Sequence, residues 1–381
     1  MKMMLAASIL TLAMAGAAGA AEPDWTFYGA AHASLNSLSN GTDRQAGLTN
    51  NTSRIGFRGT NPINETTSAF WQFESELDFA GNTGFAGTTI GTRNTFVGFR
   101  HEPAGNFVLG RHDTPFKALG RKVEMFPDQL GDFRSMTQGW DSRLPEIAAW
   151  VSPDWDGFSI FAAYQFDLVD MVSGNEAEVD AQTSVGAMAT YTTGHFLFGA
   201  AYQGFSTGYD PLNGSDVGDG PSATRFVGRY MADRFELAGL YQTMTAKFTE
   251  DGTFEDQNLS VTGLGATFHA RDNWNFKGAL FVYNDNTDAL DVVPVPGAPD
   301  VDESDTRATL IALGVERVIS ENFLVYLQIA SMDNGDILPQ TGDAVSLAGN
   351  DSGFGQEVAG TFDGGQWQDP SGLSVGAVFS W

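Results

Sequence analysis

The chain has 381 residues, no cysteine, and 20 lysines and arginines against 47 aspartates and glutamates, which gives a formal net charge of -27. The lack of cysteine excludes a disulfide framework and any thiolate metal site, and the excess of acids disfavours nucleic-acid binding. The 45 glycines and 29 phenylalanines, with 18% charged residues, favour an all-β protein.

The N-terminal segment has the features of a secretory signal peptide. It contains the basic Lys2, an apolar run over 3–14 and small residues at 18–20. These features predict a signal peptide over 1–21, with cleavage before Ala21 or Glu22, and a single domain over 22–381. Beyond this segment the sequence contains no run of about 18 apolar residues, so it predicts no membrane-spanning helix.

The rest of the chain alternates between apolar and polar positions. In 25–36 and 69–79 the odd positions are mostly apolar or small, and the even positions carry most of the polar side chains. The same pattern predicts about sixteen strands near 25–36, 50–60, 67–80, 91–101, 105–113, 146–152, 157–168, 180–192, 194–206, 222–232, 233–247, 256–270, 273–284, 305–319, 320–333 and 370–381. A soluble sandwich also alternates, so alternation alone does not decide between a sandwich and a membrane barrel.

The connections between these strands alternate in length. Short turns follow every second strand, and the long connections are predicted at 37–49, 81–90, 114–145, 169–179, 207–221, 248–255, 285–304 and 334–369. Aromatic residues cluster beside the short turns, and acids concentrate in the long loops. This rhythm is typical of an outer-membrane antiparallel β-barrel with short periplasmic turns and long extracellular loops.

The segment 114–145 follows a predicted hairpin and shows no convincing strand pattern. It carries three prolines and charges of both signs. Structureless stretches of this length are uncommon in compact domains unless they are functional. We therefore expect this third long loop to fold into the lumen of the barrel.

Five stretches together resemble the general, trimeric porins of Gram-negative outer membranes. They are SRIGFRGTNPIN at 53–64, WQFESELDF at 71–79, RNTFVGFRHEPAGNFVLGRHDTPFK at 93–117, WVSPDWDGFSIFAAYQF at 150–166 and GLSVGAVFSW at 372–381. The resemblance implies a water-filled channel, not an enzyme, for passive diffusion of ions and small hydrophilic solutes, with no cofactor. It also implies a homotrimer in contact with outer-membrane lipid and lipopolysaccharide.

The resemblance further implies a pore constriction in which loop carboxylates face wall arginines. The expected wall residues are Arg54, Arg93, Arg111 and Arg143, and the expected loop residues are Glu124, Asp128, Asp132 and Asp141. Strand parity supports Arg54 but is ambiguous for Arg111, because the apolar Phe107 shares its parity. Arg121, Lys122 and Arg134 could equally pair with acids to hold the loop in place.

The last strand carries an expected signal for the barrel-insertion machinery. In the resembling family the chain ends on an aromatic residue, usually phenylalanine, and Phe379 and Trp381 match this ending with a mild departure. Charge balance predicts a mild cation preference at low salt, because the long loops are acidic while the expected constriction is nearly neutral.

The sequence leaves three alternatives open. A substrate-specific channel for a sugar or an anion differs from a general porin only in its lumen, and the inward aromatics Tyr28, Phe70, Phe161, Tyr283 and Tyr326 are too dispersed in sequence to indicate a sugar track. A barrel hydrolase is a remote alternative, since none of the five histidines lies in a nucleophile motif. The acids Asp300, Asp302, Glu303 and Asp305 are interpreted as a solvated patch, with a peripheral Ca²⁺ or Mg²⁺ bridge to lipopolysaccharide as the alternative.

Overall fold

The computed structural model describes residues 24–80, 91–137, 140–166, 183–209, 216–250, 253–285, 307–334, 362–363, 366–367 and 369–381. The predicted signal peptide, the loop at 81–90 and the acidic segment 300–305 lie outside these ranges. Their predictions therefore stay predictions.

The described residues form an almost entirely β structure. Its strands are β1 (Asp24–Ser39), β2 (Arg44–Asn50), β3 (Arg54–Asn64), β4 (Thr67–Glu76), β5 (Thr95–His101), β6 (Gly105–Asp113), β7 (Arg143–Val151), β8 (Phe158–Gln165), β9 (Ser184–Thr193), β10 (Phe196–Phe205), β11 (Thr207–Tyr209), β12 (Asp216–Asp219), β13 (Ser222–Met231), β14 (Phe235–Glu250), β15 (Thr253–His269), β16 (Trp274–Asp285), β17 (Arg307–Ser320), β18 (Phe323–Asp333), β19 (Phe362–Asp363), β20 (Gln366–Trp367) and β21 (Ser371–Ser380).

Each main strand pairs antiparallel with the next along the chain, and the last strand returns to the first. β21 pairs with both β18 and β1, so that Ala33 lies opposite Ala377 and the sheet closes. β2 and β3 both pair with β1 and are one strand interrupted at 51–53. Counted this way, and leaving aside the short hairpins β11–β12 and β19–β20, the described part of the chain is a closed barrel of sixteen strands, as the alternating pattern predicted.

The barrel is apolar outside and polar or tightly packed inside. Leu35, Val97 and Leu109 are 65%, 60% and 56% exposed, whereas their neighbours Asn36 and Val108 are buried. Large apolar side chains that remain exposed on most of the barrel strands form a belt that suits lipid rather than water. Aromatic pairs such as Trp25–Phe57 and Trp150–Trp155 lie beside the short turns, where the sequence predicted a girdle.

Several predicted loops are shorter in the structure. The loop predicted at 37–49 is a turn at 40–43, because β1 and β2 continue their pairing through Leu35–Leu48 to Ser39–Arg44. The loop predicted at 248–255 is mostly strand, since β14 and β15 remain paired as far as Glu250–Thr253. Polar residues in these segments do not end the strands. Where the paired strands extend beyond the apolar belt, both faces of the sheet meet water, so polar side chains are compatible with a strand there.

The third long loop enters the barrel but is not structureless. It contains the short helix α1 (Pro115–Gly120) and a 3₁₀ turn (Phe133–Met136), and β7 begins at Arg143, two residues before the predicted end of the loop. Phe116, Leu119 and Phe133 are almost completely buried. Among the described residues, no helix is long and apolar enough to cross a membrane.

Candidate functional site: the pore constriction

The constriction loop, defined here as residues 114–142, is seated on the inner wall of the barrel. Thr114 caps α1 by accepting a hydrogen bond from the Lys117 N–H at 3.2 Å, and Pro115 occupies the first turn, where a missing N–H costs nothing. Further along, Phe126 and Leu130 lie directly over Gly314 and Gly372, where an added Cβ would come within 2.8 and 2.7 Å of their side chains. Glycine at these wall positions therefore lets the loop approach the sheet closely.

The predicted loop acids Asp128 and Asp132 form ion pairs within the loop. Arg121 and Arg134 each donate to Asp128 at 2.8 Å, and Arg134 contacts Asp132 at 2.5 Å. The loop therefore neutralises much of its own charge. Of the two roles considered for Arg121 and Arg134, the structure shows the pairing role.

Burial and these guanidinium groups have opposite effects on the loop carboxyls. Burial by itself would raise the pKa of Asp128, but Arg121 and Arg134 outweigh it and hold that pKa well below its usual range. Arg134 and Arg121 likewise lower the pKa of the buried Asp132. For Glu124, burial and the neighbouring Asp132 raise the pKa well above its ordinary value, although its oxygens accept the N–H groups of Phe126 and Phe133 at 2.7 and 3.1 Å.

On the opposing wall, Arg54 and Arg93 converge on one carboxylate. Arg93 Nε contacts Glu74 Oε1 at 2.7 Å and Arg54 Nε lies 3.8 Å from Glu74 Oε2. Tyr28 donates its hydroxyl hydrogen to the same carboxylate at 3.0 Å. Arg93 is nearly buried, while about a third of the Arg54 side chain is exposed, so Arg54 is the better placed of the two to meet a passing ion.

The other two predicted wall arginines lie where the loop leaves the barrel wall. Arg143 contacts Asp113 at 2.9 Å and donates to Asn94 Oδ1 at 2.8 Å. Arg111 lies on the same strand face as the exposed Leu109, and it donates to the Arg143 carbonyl at 3.4 Å. Arg111 therefore lies on the outward face of the strand, together with Leu109. The four arginines are not a single row facing the loop acids.

The fourth predicted loop acid, Asp141, pairs with an arginine that the sequence analysis did not single out. Arg225 of β13 contacts Asp141 Oδ1 at 2.6 Å, and both side chains are buried. Its signal in the sequence was an arginine on the inward parity between Ala223 and Val227. Arg225 lies outside the five stretches that resemble the family, so the resemblance does not indicate it.

A second charged group missed by the sequence analysis lines the lumen on the periplasmic side of the loop. Arg229 pairs with Glu236, which contacts His269 Nε2 at 3.1 Å. Lys277 pairs with Glu316 at 3.1 Å. On the wall below Arg54, Arg58 lies 5.1 Å from the centre of the Tyr28 ring. Most lumen charges described here are therefore balanced locally.

The predicted insertion-signal residues lie at the seam where the barrel closes. Phe379 and Trp381 stack with ring centres 5.9 Å apart, and Phe27 of β1 lies 6.3 Å from Trp381. Both residues face outward and are exposed. For metals, the described residues contain no cluster of three or more histidine, aspartate or glutamate side chains arranged to hold an ion.

Residues 6–337 match the Gram-negative porin family. Curated relatives include outer membrane porin PhoE of Enterobacter cloacae, 26% identical over 55% of this chain and 61% of the relative, and outer membrane protein S2 of Salmonella typhi, 26% identical over 63% of this chain and 72% of the relative. The chain thus spans about three fifths of the length of the PhoE relative.

Solved structures give the same fold over nearly the whole chain. The anion-selective porin of Comamonas acidovorans superposes with a TM-score of 0.70 at 21% identity, covering 94% of this chain and all of the other. OmpF of Salmonella typhi superposes with a TM-score of 0.64 at 17% identity, covering 94% and 97%. With a family match over most of its length and the barrel that this family forms, the chain is a member of the Gram-negative porin family in the outer membrane.

Proposed function

We propose that the protein is a water-filled channel through which ions and small hydrophilic solutes diffuse passively across the outer membrane. The observation that carries this proposal is the closed barrel whose lumen is narrowed by a charged loop opposite a charged wall. Asp128 and Arg121 belong to the loop, and Arg54, Glu74 and Arg93 belong to the wall. Charges of both signs in a narrow passage favour hydrated solutes and disfavour apolar ones.

A general channel fits the lumen better than a sugar-specific one. A sugar track needs aromatic faces open to the passage, but Phe161, Tyr283 and Tyr326 are 4%, 0% and 5% exposed. The other two candidates, Tyr28 and Phe70, lie beneath the guanidinium groups of Arg58 and Arg100. These five residues therefore do not offer a continuous stacking surface.

For ionic selectivity we propose a mild cation preference that strengthens on dilution. The loop arginines Arg121 and Arg134 match Asp128 and Asp132, and Arg225 of the wall matches Asp141, so the constriction itself is close to neutral. The segments 167–182, 286–306 and 335–361 carry many acids and no lysine or arginine. Their influence on a passing ion weakens as salt shortens the Debye length, which is about 8 Å at 0.15 M and about 3 Å at 1 M salt.

We propose a homotrimer in which the first and last strands meet neighbouring copies. Ala33 lies directly opposite Ala377 on the outward face of the seam, and small side chains there allow barrel walls to approach closely in lipid. Gly29, at the same seam, is covered by the Trp381 ring of its own chain. Native mass spectrometry of the protein in mild detergent tests this assembly, and a stable monomer would contradict the trimer.

Reconstitution into planar lipid bilayers tests the channel. We expect stepwise conductance that rises in proportion to the conductivity of the KCl solution, as water-filled pores require. Liposome swelling with sugars of increasing size then measures the exclusion limit. Saturation of the current by one sugar at low concentration would instead identify a substrate-specific channel.

A further inference from the structure

Arg225 projects from β13 into a fully enclosed site beneath the constriction loop. Its Nη1 and Nη2 atoms donate to the two carboxylate oxygens of Asp141, each at 2.6 Å. Its Nε donates to Gln242 Oε1 at 2.8 Å, and Nη1 also donates to the Phe116 carbonyl oxygen at 3.0 Å. Every nitrogen of this guanidinium has a partner, although the side chain has no exposure to solvent.

Three separate parts of the loop meet on this one arginine. The centre of the Phe116 ring of α1 lies 4.0 Å from the guanidinium carbon of Arg225, and the centre of the Phe133 ring of the 3₁₀ turn lies 5.2 Å from it. Both distances are within the range of a cation–π contact. The returning arm contributes Asp141, which also accepts a hydrogen bond from the Thr137 hydroxyl at 2.7 Å. Gly120 passes so close that an added Cβ would lie 2.3 Å from Arg225 Nη1.

The Arg225 site differs from the other contacts that hold the loop. The pairs of Arg121 and Arg134 with Asp128 and Asp132 are internal to the loop, so they fix its shape but not its position. Phe126 and Leu130 rest on wall glycines through apolar contacts, which are non-directional and tolerate sliding. Arg229 of the wall donates one hydrogen bond to the Lys122 carbonyl oxygen at 2.6 Å, and a single hydrogen bond lets the loop pivot about that atom. A bidentate ion pair with further hydrogen bonds has a single geometry and does not tolerate sliding.

We propose that Arg225 is a positioning residue of the pore, which fixes the constriction loop against the far wall and so sets the width of the passage. The inference rests on the proposed channel function. Arg225 does not contact the solute, yet under this proposal it controls how much the width of the open passage fluctuates. Without the Arg225 site, the loop keeps its internal ion pairs and the hydrogen bond from Arg229 but shifts between several positions on the wall.

Arg225→Met tests the proposal, with Arg234→Met as the matched control. Arg234 also lies over a phenylalanine ring, Phe268, but it is exposed at a short turn and does not contact the loop. Both variants are checked for a folded barrel by heat-modifiable gel mobility and then recorded as single channels. We expect several-fold greater open-channel current noise, with new conductance levels, in Arg225→Met and not in Arg234→Met.

The double variant Arg225→Met with Asp141→Leu separates positioning from simple charge compensation. Removing both charges avoids the unpaired buried carboxylate that could impair folding of the single variant. We expect the double variant to fold normally and still give noisy, shifted conductance. Wild-type conductance and noise in either variant would overturn the inference, whereas a wild-type protein that forms no channel would overturn the proposed function instead.

Discussion

Trp381 closes the barrel on Gly29. The Gly29 N–H donates to the Trp381 carbonyl oxygen at 3.2 Å, and the Trp381 N–H donates to the Gly29 carbonyl oxygen at 3.1 Å. The indole ring lies over the glycine, where an added Cβ would be 2.2 Å from a ring carbon and 2.8 Å from the Arg54 carbonyl oxygen. The last residue of the chain thus completes the seam between β1 and β21.

Substitution at Gly29 should weaken this seam. Gly29→Val forces a side chain into the indole and the backbone of β3, so we expect a loss of about 1–3 kcal/mol, typical of overpacking. Urea titration of the folded barrel in detergent measures the loss. Gly228→Ala is the control, since the nearest atom to its added Cβ is 4.0 Å away; equal losses in both variants would show that glycine flexibility, not the indole contact, matters.

The outward and inward faces should respond differently to a new charge. Leu313 is 54% exposed on the apolar belt, and Leu313→Arg should cost about 2–4 kcal/mol near the middle of the membrane and reduce insertion. Gln72→Arg, on the lumen face of β4, should insert normally and change conductance. Outer-membrane fractionation followed by bilayer recording tests both, and equal insertion defects would contradict the assignment of faces.

The raised pKa of Glu124 predicts a pH-dependent change in selectivity. A carboxyl whose pKa is raised in the folded protein stays neutral above pH 4.5 and ionises only as the pH rises through its shifted value. Ionisation adds a negative charge to the loop, so cation preference should increase with pH above the ordinary carboxyl range. Reversal potentials under a KCl gradient, measured between pH 5 and alkaline pH, follow this change.

Glu124→Gln should remove that step while leaving selectivity at low pH close to wild type. Asp132→Asn is the comparison, because the pKa of Asp132 is lowered and its negative charge is already present at neutral pH. Its loss should shift selectivity toward anions and, because the Asp132 charge contributes to the raised pKa of Glu124, should also move the Glu124 step to lower pH. A pH step that persists in Glu124→Gln would assign the titration to another group.

The exposed wall arginines should oppose the acidic loops. Replacing Arg54 and Arg58 together with glutamine removes two positive charges from the lumen wall, so we expect a stronger cation preference at both low and high salt. Arg317→Gln is the control, since Arg317 lies over the Trp274 ring on the outer face. Anion selectivity that is strong at every salt concentration in the wild type would show that the wall, not the loops, governs the channel.

Much of the architecture follows from the order of residues. Alternation predicted sixteen strands, and family membership confirms the porin resemblance, the outer-membrane location and the absence of an enzymatic role. The alternation of apolar and polar residues with a period of two is a property of each strand by itself, so it can be recognised without knowing the partner strand. Loop lengths were less predictable, because the hairpins at 40–43 and near 250 are extended by pairing with a neighbouring strand, which polarity alone does not reveal.

The partners of the charges, by contrast, were decided by the tertiary structure. The sequence identified Asp141 as a constriction acid and placed Arg143 nearby, yet Asp141 pairs with Arg225, 84 residues away along the chain. A strand's parity determines which face a side chain takes, because the backbone alone sets it. Which opposite charge that side chain meets depends on how the loop crosses the closed barrel, and only the folded molecule brings α1, the 3₁₀ turn and β13 to one point.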